Sequence, residues 1–217
     1  IATDKTYPPF EMEDENGDLV GLDMDLIRAI ADDQGFEIEI RSLGFDAACT
    51  ALESGEADAV IGGMTIKPER EEKYDFSDPY YETGVSMGVA KDSGITSYED
   101  LKGKTVVAKT STTGLSFAES IKDKYGFNLE VVEESTFMFE KVKSGEAVAC
   151  FEDTPVLKYM ISTGELDFDT PCGKENPANY GYAVLKGENA TLLKKFNKGL
   201  KKLKENGEYD KILAKYE

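Results

Sequence analysis

Hydrophobic side chains recur every three or four residues in four segments of the chain, and this spacing predicts amphipathic helices. The four segments are 21–33, 45–54, 114–124 and 136–144. Gly55 follows the second segment and Gly145 follows the fourth. Glycine takes the left-handed conformation that ends many helices without steric cost, so we predict that both helices stop at these residues.

Short apolar runs without polar alternation lie between the predicted helices. "ADAVI" (57–61) and "AVACF" (147–151) follow the two glycine stops. Such runs are typical of strands that are buried on both faces of a parallel sheet. Further strands are predicted where "QGFEIEI" (34–40) and "YGFNLEV" (125–131) follow a helix, and at the start of each half of the chain.

The order of these elements repeats along the chain. "SGEADAVIGG" (54–63) returns ninety residues later as "SGEAVACFED" (144–153), and the two Gly-Phe strands above recur at a similar offset. Two βαβαβ units predict an α/β protein with two Rossmann-like lobes, whose ligand loops lie at the carboxyl ends of the strands. A chance recurrence of the helix stop "SGEA" is the alternative, but two matched anchors favour duplication.

The composition narrows the class of protein. At 217 residues the chain is long enough for one large domain or for two lobes of roughly 100 residues. Its formal net charge of −18 argues against binding to nucleic acid or to anionic membrane surfaces. No apolar stretch approaches the ~20 residues that span a bilayer. "IATD" begins in mid-strand, so we expect that upstream segments have been removed or are missing.

Several catalytic and metal chemistries lack their usual residues. The chain has no histidine, which excludes Ser-His-Asp and Cys-His triads and the common histidine metal sites. Its three cysteines, Cys49, Cys150 and Cys172, have no CxxC spacing and give no disulfide framework. "DENGD" (14–18) lacks the rest of a calcium-binding EF-hand loop and predicts a hairpin turn. We therefore expect no metal, no cofactor and no catalytic residue.

The loop after the first repeat, "GGMTIKPERE" (62–71), has the groups of an anion site. Gly63 lets a ligand approach the backbone, Thr65 offers a hydroxyl, and Arg70 follows a proline suited to a helix start. A helix start beside a guanidinium suits a carboxylate. The alternative, which the pattern alone favours, is that Arg70 is a solvated surface charge.

The equivalent loop after the second repeat, "CFEDTP" (150–155), carries the opposite charge. Glu152 and Asp153 directly follow a buried strand, and carboxylates at this position suit an ammonium group. Asp153 is also placed to cap the next helix, and the two roles are compatible. One lobe suited to an anion and one suited to a cation together suit an α-amino acid, which carries both charges.

Two more loops belong to the same face of the predicted lobes. "TDKTYPPF" (3–10) places Asp4 and Tyr7 after the first strand, and Phe45 begins the second helix. Tyr7 and Phe45 are either core aromatics or flat walls for an aliphatic ligand stem. "KTSTTG" (109–114) resembles a weak anion nest but lacks the Gly-Lys-Ser/Thr ending of a nucleotide P-loop, so we do not expect phosphate as the main ligand.

An ordered set of motifs resembles one protein family over essentially the whole chain. Its most specific pieces are "ATDKTYPPFE", "VGLDMDLIRAIA", "GGMTIKPERE", "YDFSDPYYETG" and "LKENGEYDKILAKY". The set is similar to the type II periplasmic solute-binding proteins of ABC amino-acid transporters, solute-binding family 3. Within that family it resembles most the glutamine-binding proteins that are fused or tethered to transporters.

The resemblance implies two α/β lobes joined by a two-strand hinge, the type II periplasmic binding protein fold. Lobe 1 would comprise residues 1–83 and 185–217, and lobe 2 residues 84–184, with hinge strands near 80–84 and 180–184. The resemblance also implies a set of ligand-binding residues. These are Asp4, Tyr7, Phe45, Gly63, Met64, Thr65, Arg70, Thr110, Thr113, Gly114, Glu152 and Asp153.

The family's pattern assigns both charged ends of an amino acid. Arg70 would bind the α-carboxylate, assisted by Thr65 and the backbone of Gly114. Asp153 would bind the α-ammonium together with the backbone of Gly63. Each ionic group of the ligand would then meet a side chain of opposite charge.

The ligand's identity depends on the residues around its side chain. Phe45 and Tyr7 would sandwich that side chain and Asp4 would accept from a terminal amide, so glutamine is the first expectation. Glutamine binders of the enteric type have a lysine at the position of Thr110 and a histidine at that of Glu152. These departures make the expected pocket more negative and leave arginine, lysine or histidine open as ligands.

The predicted function is that of a binding protein and not of an enzyme. The chain would bind the amino acid by hinge closure between its lobes and deliver it to an ABC transporter permease. We expect an extracytoplasmic monomer, in the periplasm or at the cell surface, attached to the membrane only by a missing lipid anchor or a fused permease. Two alternatives stay open: an enzyme resembling cyclohexadienyl dehydratase with Glu152 as its acid, and a receptor sensor domain.

Overall fold

A computed structural model describes residues 1–216, and the chain forms two compact units. Unit 1 consists of Ile1–Glu82 and Ala178–Glu217, and unit 2 of Thr83–Pro177. Glu217, the last residue of predicted lobe 1, lies outside the described residues.

Helices and strands alternate along much of the chain. Within the described residues the α-helices are α1 (Leu22–Gln34), α2 (Phe45–Ser54), α3 (Pro68–Glu71), α4 (Thr113–Tyr125), α5 (Ser135–Ser144), α6 (Thr154–Ser162), α7 (Ala190–Asn206) and α8 (Glu208–Tyr216), and a 3-10 helix spans Tyr98–Leu101. The strands are β1 (Ala2–Thr3), β2 (Met12–Glu13), β3 (Leu19–Val20), β4 (Arg41–Ser42), β5 (Tyr74–Phe76), β6 (Tyr81–Ala90), β7 (Thr105–Lys109), β8 (Asn128–Val132), β9 (Ala149–Asp153), β10 (Phe168–Asp169), β11 (Glu175–Tyr180) and β12 (Ala183–Leu185). The chain passes between the units within β6 and within β11, and these two strands pair with each other.

The two units differ from the predicted lobes in Thr83 and in residues 178–184, which the prediction assigned to the other part. Tyr180 makes an edge-to-face contact with Phe10, with ring centroids 4.9 Å apart. Ala183 pairs with Val60 in an antiparallel bridge. These contacts join residues 178–184 to the core of unit 1.

Unit 2 is built on a sheet with the strand order β10-β6-β9-β7-β8. β7 lies parallel to β8 and β9, whereas β6 is antiparallel to β9 and β10 is antiparallel to β6. Alternate residues of the inner strands enter different hydrophobic clusters, Val106 and Phe151 in one and Val107 and Cys150 in the other. The predicted βαβαβ order of this half is confirmed, and so is the predicted burial of the run 147–151 in β9.

Unit 1 repeats this strand order with much shorter ladders. Ala2 pairs in parallel with Arg41 on one side and with Val60 on the other, and Val60 pairs antiparallel with Ala183. β12 then pairs antiparallel with β5. The order matches that of β8, β7, β9 and β6 in unit 2, so it agrees with a duplicated unit, and the predicted α/β class is confirmed.

Two strands predicted in unit 1 are largely wrong. In the segment 34–40, Gln34 is still the last residue of α1, and the N–H of Phe36 donates to the carbonyl of Ala31 at 3.1 Å. The parallel ladder with β1 therefore begins only at β4. In residues 57–61, Val60 alone forms a β-bridge. Both segments lie beside β1, which is itself only two residues long.

Glycine ends α2 and α5, as predicted. Gly55 and Gly145 adopt left-handed φ angles of 80° and 81°, and their N–H groups donate to the carbonyls of Leu52 and Val142. A side chain at either position would be strained in this conformation. The predicted hairpin turn over residues 14–18 is also confirmed, because β2 and β3 pair antiparallel on either side of it.

α7 is the longest helix that the structure describes, with 17 residues. Its buried side, which includes Phe196, Leu200 and Leu203, faces the interior of unit 1, where α7 packs on α1. Gly199 lets the two helices approach, since a Cβ there would lie 2.8 Å from Cγ2 of Ile30. Across residues 1–216, the helices are all too short or too polar to cross a membrane.

Candidate functional site

The loop after β1 carries two of the predicted ligand residues, Asp4 and Tyr7. The carboxylate of Asp4 accepts the N–H of Lys5 at 2.7 Å. The Tyr7 ring stacks on Phe10 with centroids 5.9 Å apart, and its hydroxyl lies 3.3 Å from that of Tyr180. Because Tyr7 is half-buried and held on two sides, it forms a fixed aromatic wall of unit 1.

The Tyr7 ring lies directly against the backbone of Gly63. The φ of Gly63 is 53°, and a Cβ at this position would lie 2.6 Å from Cε1 of Tyr7. Only glycine fits there without displacing the ring. The side chain of the next residue, Met64, is buried in a hydrophobic cluster, and its carbonyl accepts the N–H of Gly181 at 2.9 Å. In this loop, Gly63 therefore contacts Tyr7 through its backbone, whereas Met64 anchors the loop by its buried side chain.

Arg70 lies on the short helix α3, which begins with Pro68 as expected. Its Nη1 donates to the carbonyl of Thr65 at 2.9 Å, and its guanidinium carbon lies 5.1 Å from the centroid of the Phe45 ring. The side chain is half-buried, so it differs from a solvated surface charge. A guanidinium has five N–H donors in a planar fork, a geometry that suits a carboxylate.

Asp23 is a buried carboxylate beside this loop that the sequence patterns did not identify. Its Oδ2 accepts the N–H of Gly63 at 2.7 Å and the hydroxyl of Tyr80 at 2.8 Å. Asp23 is 0% exposed, and burial raises its pKa to about 7 although both hydrogen bonds oppose the rise. The sequence does contain a signal, because Asp23 lies between Leu22 and Met24 in the first turn of a helix whose apolar face is buried.

In unit 2, Asp153 ends β9 and directly precedes α6. Its Oδ1 accepts the hydroxyl of Thr113 at 2.9 Å, and the residue is only 4% exposed. The side chain of Asp153 makes no capping hydrogen bond to α6. The alternative role of Asp153 as a side-chain cap is therefore wrong, because its carboxylate is held by the start of α4.

Glu152 is the second carboxylate at the end of β9. It is 3% exposed, and its Oε1 accepts the N–H of Asp153 at 2.8 Å. Burial and the charge of Glu152 together raise the pKa of the Cys150 thiol, which keeps that core thiol neutral. Two consecutive buried carboxylates give the end of β9 a strong preference for a cationic partner.

The start of α4 packs unusually closely on β9. A Cβ at Gly114 would lie 2.5 Å from the carbonyl oxygen of Phe151. Thr112 caps the helix by accepting the N–H of Leu115 at 3.1 Å. Thr110 lies between β7 and this cap, and its N–H donates to the last residue of β8. The hydroxyl-rich segment 109–114 thus caps α4 and supplies the donor for the carboxylate of β9.

The structure connects most of the predicted ligand residues within each unit. In unit 1 an antiparallel bridge between Thr65 and Tyr180 completes the contacts given above, and the connected residues are Tyr7, Phe45, Gly63, Thr65 and Arg70. In unit 2 they are Thr113, Gly114, Glu152 and Asp153. Unit 1 offers a guanidinium beside aromatic rings, and unit 2 offers two buried carboxylates. Each unit therefore carries the chemistry for one ionic group of an amino acid.

Comparisons with known proteins agree over the whole chain. The sequence profile of the bacterial extracellular solute-binding proteins, family 3, matches residues 1–217. The arginine-binding extracellular protein ArtP of Bacillus subtilis (strain 168) is 36% identical over 218 residues, which cover 100% of this chain and 84% of ArtP. The ABC transporter glutamine-binding protein GlnH of the same strain is 34% identical over 213 residues, which cover 93% of this chain and 74% of GlnH.

Solved structures agree with this assignment. An ancestral arginine-binding protein bound to arginine is 40% identical to this chain, with a TM-score of 0.87 and coverage of 99% of this chain and 96% of the other. An ancestral arginine-binding protein bound to glutamine is 39% identical, with a TM-score of 0.87 and coverage of 99% of this chain and 95% of the other. The chain therefore belongs to the bacterial extracellular solute-binding proteins of family 3 and is an amino-acid-binding protein of the ABC transporter type.

Proposed function

We propose that the chain, as a monomer, binds a free polar L-amino acid and delivers it to a permease to which it is fused or anchored. Arg70 of unit 1 binds the α-carboxylate and Asp153 of unit 2 binds the α-ammonium. The supporting observation is that both charged groups already have fixed partners, the carbonyl of Thr65 at 2.9 Å and the hydroxyl of Thr113 at 2.9 Å. Preorganised charges of opposite sign lose little side-chain entropy when they bind a zwitterion.

Among polar amino acids we propose arginine ahead of glutamine. Arg70 is the one cation in the proposed set of ligand residues, whereas Asp4, Glu152 and Asp153 are carboxylates. A single α-ammonium leaves this negative charge in excess, and a second cationic group on the ligand offsets it. ArtP is named for arginine, and the ancestral relative was bound to arginine as well as glutamine. Glutamine is the second candidate because its terminal amide can donate to Asp4.

A thermal-shift screen over the twenty amino acids tests the function and ranks the ligands. A ligand at one hundred times its Kd stabilises the folded protein by about 2.7 kcal/mol. For a chain of this length that raises Tm by roughly 5–11 °C. We expect arginine to give the largest shift and glutamine the next. A larger shift with glutamine would reverse the ranking, and no shift with any amino acid would refute the function.

The role of Arg70 is tested with the variant Arg70→Ala in calorimetry with L-arginine. Removing one partner of a buried ion pair costs about 3–5 kcal/mol, so we expect Kd to rise by at least about a hundredfold. Arg28→Ala is the matched control, because Arg28 also donates to a backbone carbonyl, that of Leu19 at 3.1 Å, but lies exposed on α1. Equal effects of the two substitutions would contradict the assignment of Arg70.

The role of Glu152 is tested by Glu152→Gln, which keeps the shape of the side chain and removes its charge. We expect the ratio of Kd for glutamine to Kd for arginine to fall by about tenfold. An unchanged ratio would show that Glu152 does not select the ligand.

Glu152 is also the acid of the alternative enzyme, so absorbance measurements with prephenate and arogenate decide between a binding protein and an enzyme. We expect no product with either substrate.

A further inference from the structure

Asp23 connects three segments of unit 1, two of which carry proposed ligand residues. Its carboxylate holds the N–H of Gly63 at 2.7 Å and the hydroxyl of Tyr80 at 2.8 Å. Its own N–H donates at 3.0 Å to the carbonyl of Phe10, which ends the loop that contains Tyr7. A single residue of α1 thus ties together the Tyr7 loop, the Gly63 loop and the residue before β6.

The internal repeat gives position 23 a counterpart in unit 2. Asp23 and Gly63 are 40 residues apart, and so are Thr113 and Asp153. Both hydrogen bonds start in the first turn of a helix, α1 or α4; one ends at Gly63, three residues after the bridge at Val60, and the other ends at Asp153, the last residue of β9. Since Thr113 orients Asp153 in unit 2, the equivalent position in unit 1 orients Gly63.

Asp23 is paired with a second buried acid, Glu11. Both residues are 0% exposed, and a hydrogen bond from Glu11 lowers the pKa of Asp23 while burial raises it to about 7. The other titratable groups that face Asp23 are the hydroxyl of Tyr80 and, beyond it, that of Tyr180. None of these groups is a cation, and two adjacent buried carboxyl groups do not both ionise, so the pair shares a proton.

We propose that Asp23 is a positioning residue for ligand binding. Its ionised carboxylate, stabilised by the protonated carboxyl group of Glu11, locks the backbone of Gly63 against Tyr7 in the conformation that receives the ligand. This inference rests on the proposed function, which assigns Gly63 and Tyr7 to the ligand. Hydrogen bonds to an ionised acceptor are about twice as strong as those to a neutral one. Protonation of Asp23 therefore loosens Gly63 and weakens the binding of the ligand.

The pH dependence of ligand affinity isolates this effect. The chain has no histidine, which is the side chain that usually titrates near neutral pH. Arginine and glutamine keep their charges between about pH 5.5 and about pH 8, because the adjacent carboxylate raises the pKa of a free amino acid's ammonium group above that of a chain N-terminus. A change of Kd within this range therefore points to a perturbed carboxyl group or to the α-amino group of Ile1, whose pKa burial lowers from 8.0, and substitution shows whether the responsible group is Asp23.

The experiment is calorimetric titration of the full chain with L-arginine and L-glutamine at about pH 5.5 and about pH 8. For the wild type we expect Kd to be about threefold or more higher at the lower pH. Asp23→Asn imitates the protonated carboxyl group, so its Kd at the higher pH should equal that of the wild type at the lower pH and should not vary with pH. The control Asp25→Asn removes the same charge from α1, where Asp25 bonds to Lys215 and Tyr216 at 2.8 Å, and should follow the wild type.

A second variant separates positioning from a merely structural role. In Glu11→Gln the amide donates to Asp23 in place of the carboxyl hydroxyl, so we expect Kd within about twofold of the wild type at the higher pH. A Kd as weak as that of Asp23→Asn would place the charge on Glu11 and overturn the inference.

Other outcomes also decide the question. A folded Asp23→Asn with the Kd and the pH profile of the wild type would overturn the inference. If Asp23→Asn does not fold, a wild-type Kd that is independent of pH would overturn it. Failure of the wild type to bind either amino acid at either pH would instead refute the proposed function.

Discussion

Replacing Gly114 with alanine tests whether the close packing of α4 on β9 maintains the site of unit 2. A Cβ at position 114 would lie 2.5 Å from the carbonyl oxygen of Phe151 and 3.0 Å from its carbonyl carbon. Both atoms belong to the backbone of β9, which is paired with β6 on one side and β7 on the other. They cannot move aside as the end of a flexible side chain would, so α4 must shift.

The contact distance sets how far α4 must move in Gly114→Ala. A shift of α4 by about 1 Å away from β9 restores ordinary van der Waals contact between the new Cβ and the carbonyl of Phe151. Overpacking of this kind costs about 1–3 kcal/mol, and the higher helix propensity of alanine offsets up to about 1 kcal/mol. We expect a net loss of about 1–2 kcal/mol, which lowers Tm by roughly 2–8 °C. The hydrogen bond from Thr113 to Asp153, now 2.9 Å, would lengthen beyond bonding distance, and the affinity for arginine would fall by about tenfold.

Gly173→Ala is the matched control in the same unit. A Cβ at Gly173 would meet nothing within 4 Å, and its φ lies outside the left-handed range. This substitution should be neutral or stabilise by up to about 1 kcal/mol, because alanine restricts the unfolded chain. Differential scanning calorimetry gives both Tm values, and isothermal titration gives both affinities. If Gly114→Ala were as stable as Gly173→Ala, the reasoning about α4 would be refuted.

Two further predictions concern the buried carboxylates. Burial raises the pKa of Asp23 from 3.8 to about 7 in the folded chain, so its contribution to the free energy of unfolding is present below about pH 4 and is lost as pH rises through 7. Urea denaturation should show that the wild type loses about 4 kcal/mol relative to Asp23→Asn across this range. Thr113→Val removes the hydroxyl that donates to Asp153 at 2.9 Å, so calorimetry should show arginine affinity lower by roughly 10–100-fold.

Each of these predictions has an outcome that contradicts it. A constant difference in stability between the wild type and Asp23→Asn over that pH range would show that burial does not raise the pKa of Asp23. Thr113→Ser keeps a hydroxyl and should retain most of the affinity. An equal loss for the serine and valine variants would show that packing at Thr113, and not its hydrogen bond, supports the site.

The sequence predicts unit 2 more accurately than unit 1 because hydrophobic patterns report burial and not strand pairing. β7, β8 and β9 each have five residues in continuous ladders, so their apolar runs coincide with strands. In unit 1 the run 57–61 is almost as buried, yet Val60 alone pairs. Burial without a ladder satisfies the same pattern, so the pattern could not separate the two cases.

The sequence likewise indicates some residues of the candidate site and not others. Arg70 and Asp153 stand out in the sequence because each lies just after a repeated strand, where ligand loops are expected. Asp23 and Glu11 do not follow a repeated strand, and the apolar neighbours of Asp23 are a weaker signal because charged residues near turns and helix starts are normally exposed. Their role depends on a contact with Gly63, 40 residues from Asp23, that only the folded chain creates. The separation of 40 residues is itself visible in the repeat, but its meaning requires the structure.

The two units contain equivalent hydrogen bonds between the first turn of a helix and a residue 40 positions later, but the donor and the acceptor are interchanged. In unit 1 the helix supplies the carboxylate of Asp23 and the loop supplies the N–H of Gly63, whereas in unit 2 the helix supplies the hydroxyl of Thr113 and the strand supplies the carboxylate of Asp153. Each of these two hydrogen bonds therefore has a buried carboxylate as its acceptor. Only Asp153, in unit 2, is itself proposed to contact the ligand. In unit 1 a side chain at position 63 would collide with Tyr7 at 2.6 Å, so the charge has to come from the helix behind it. The duplicated contact thus places a carboxylate at position 153 in unit 2 and bare backbone at position 63 in unit 1, where the proposed anion-binding charge belongs instead to Arg70, which lies outside this contact.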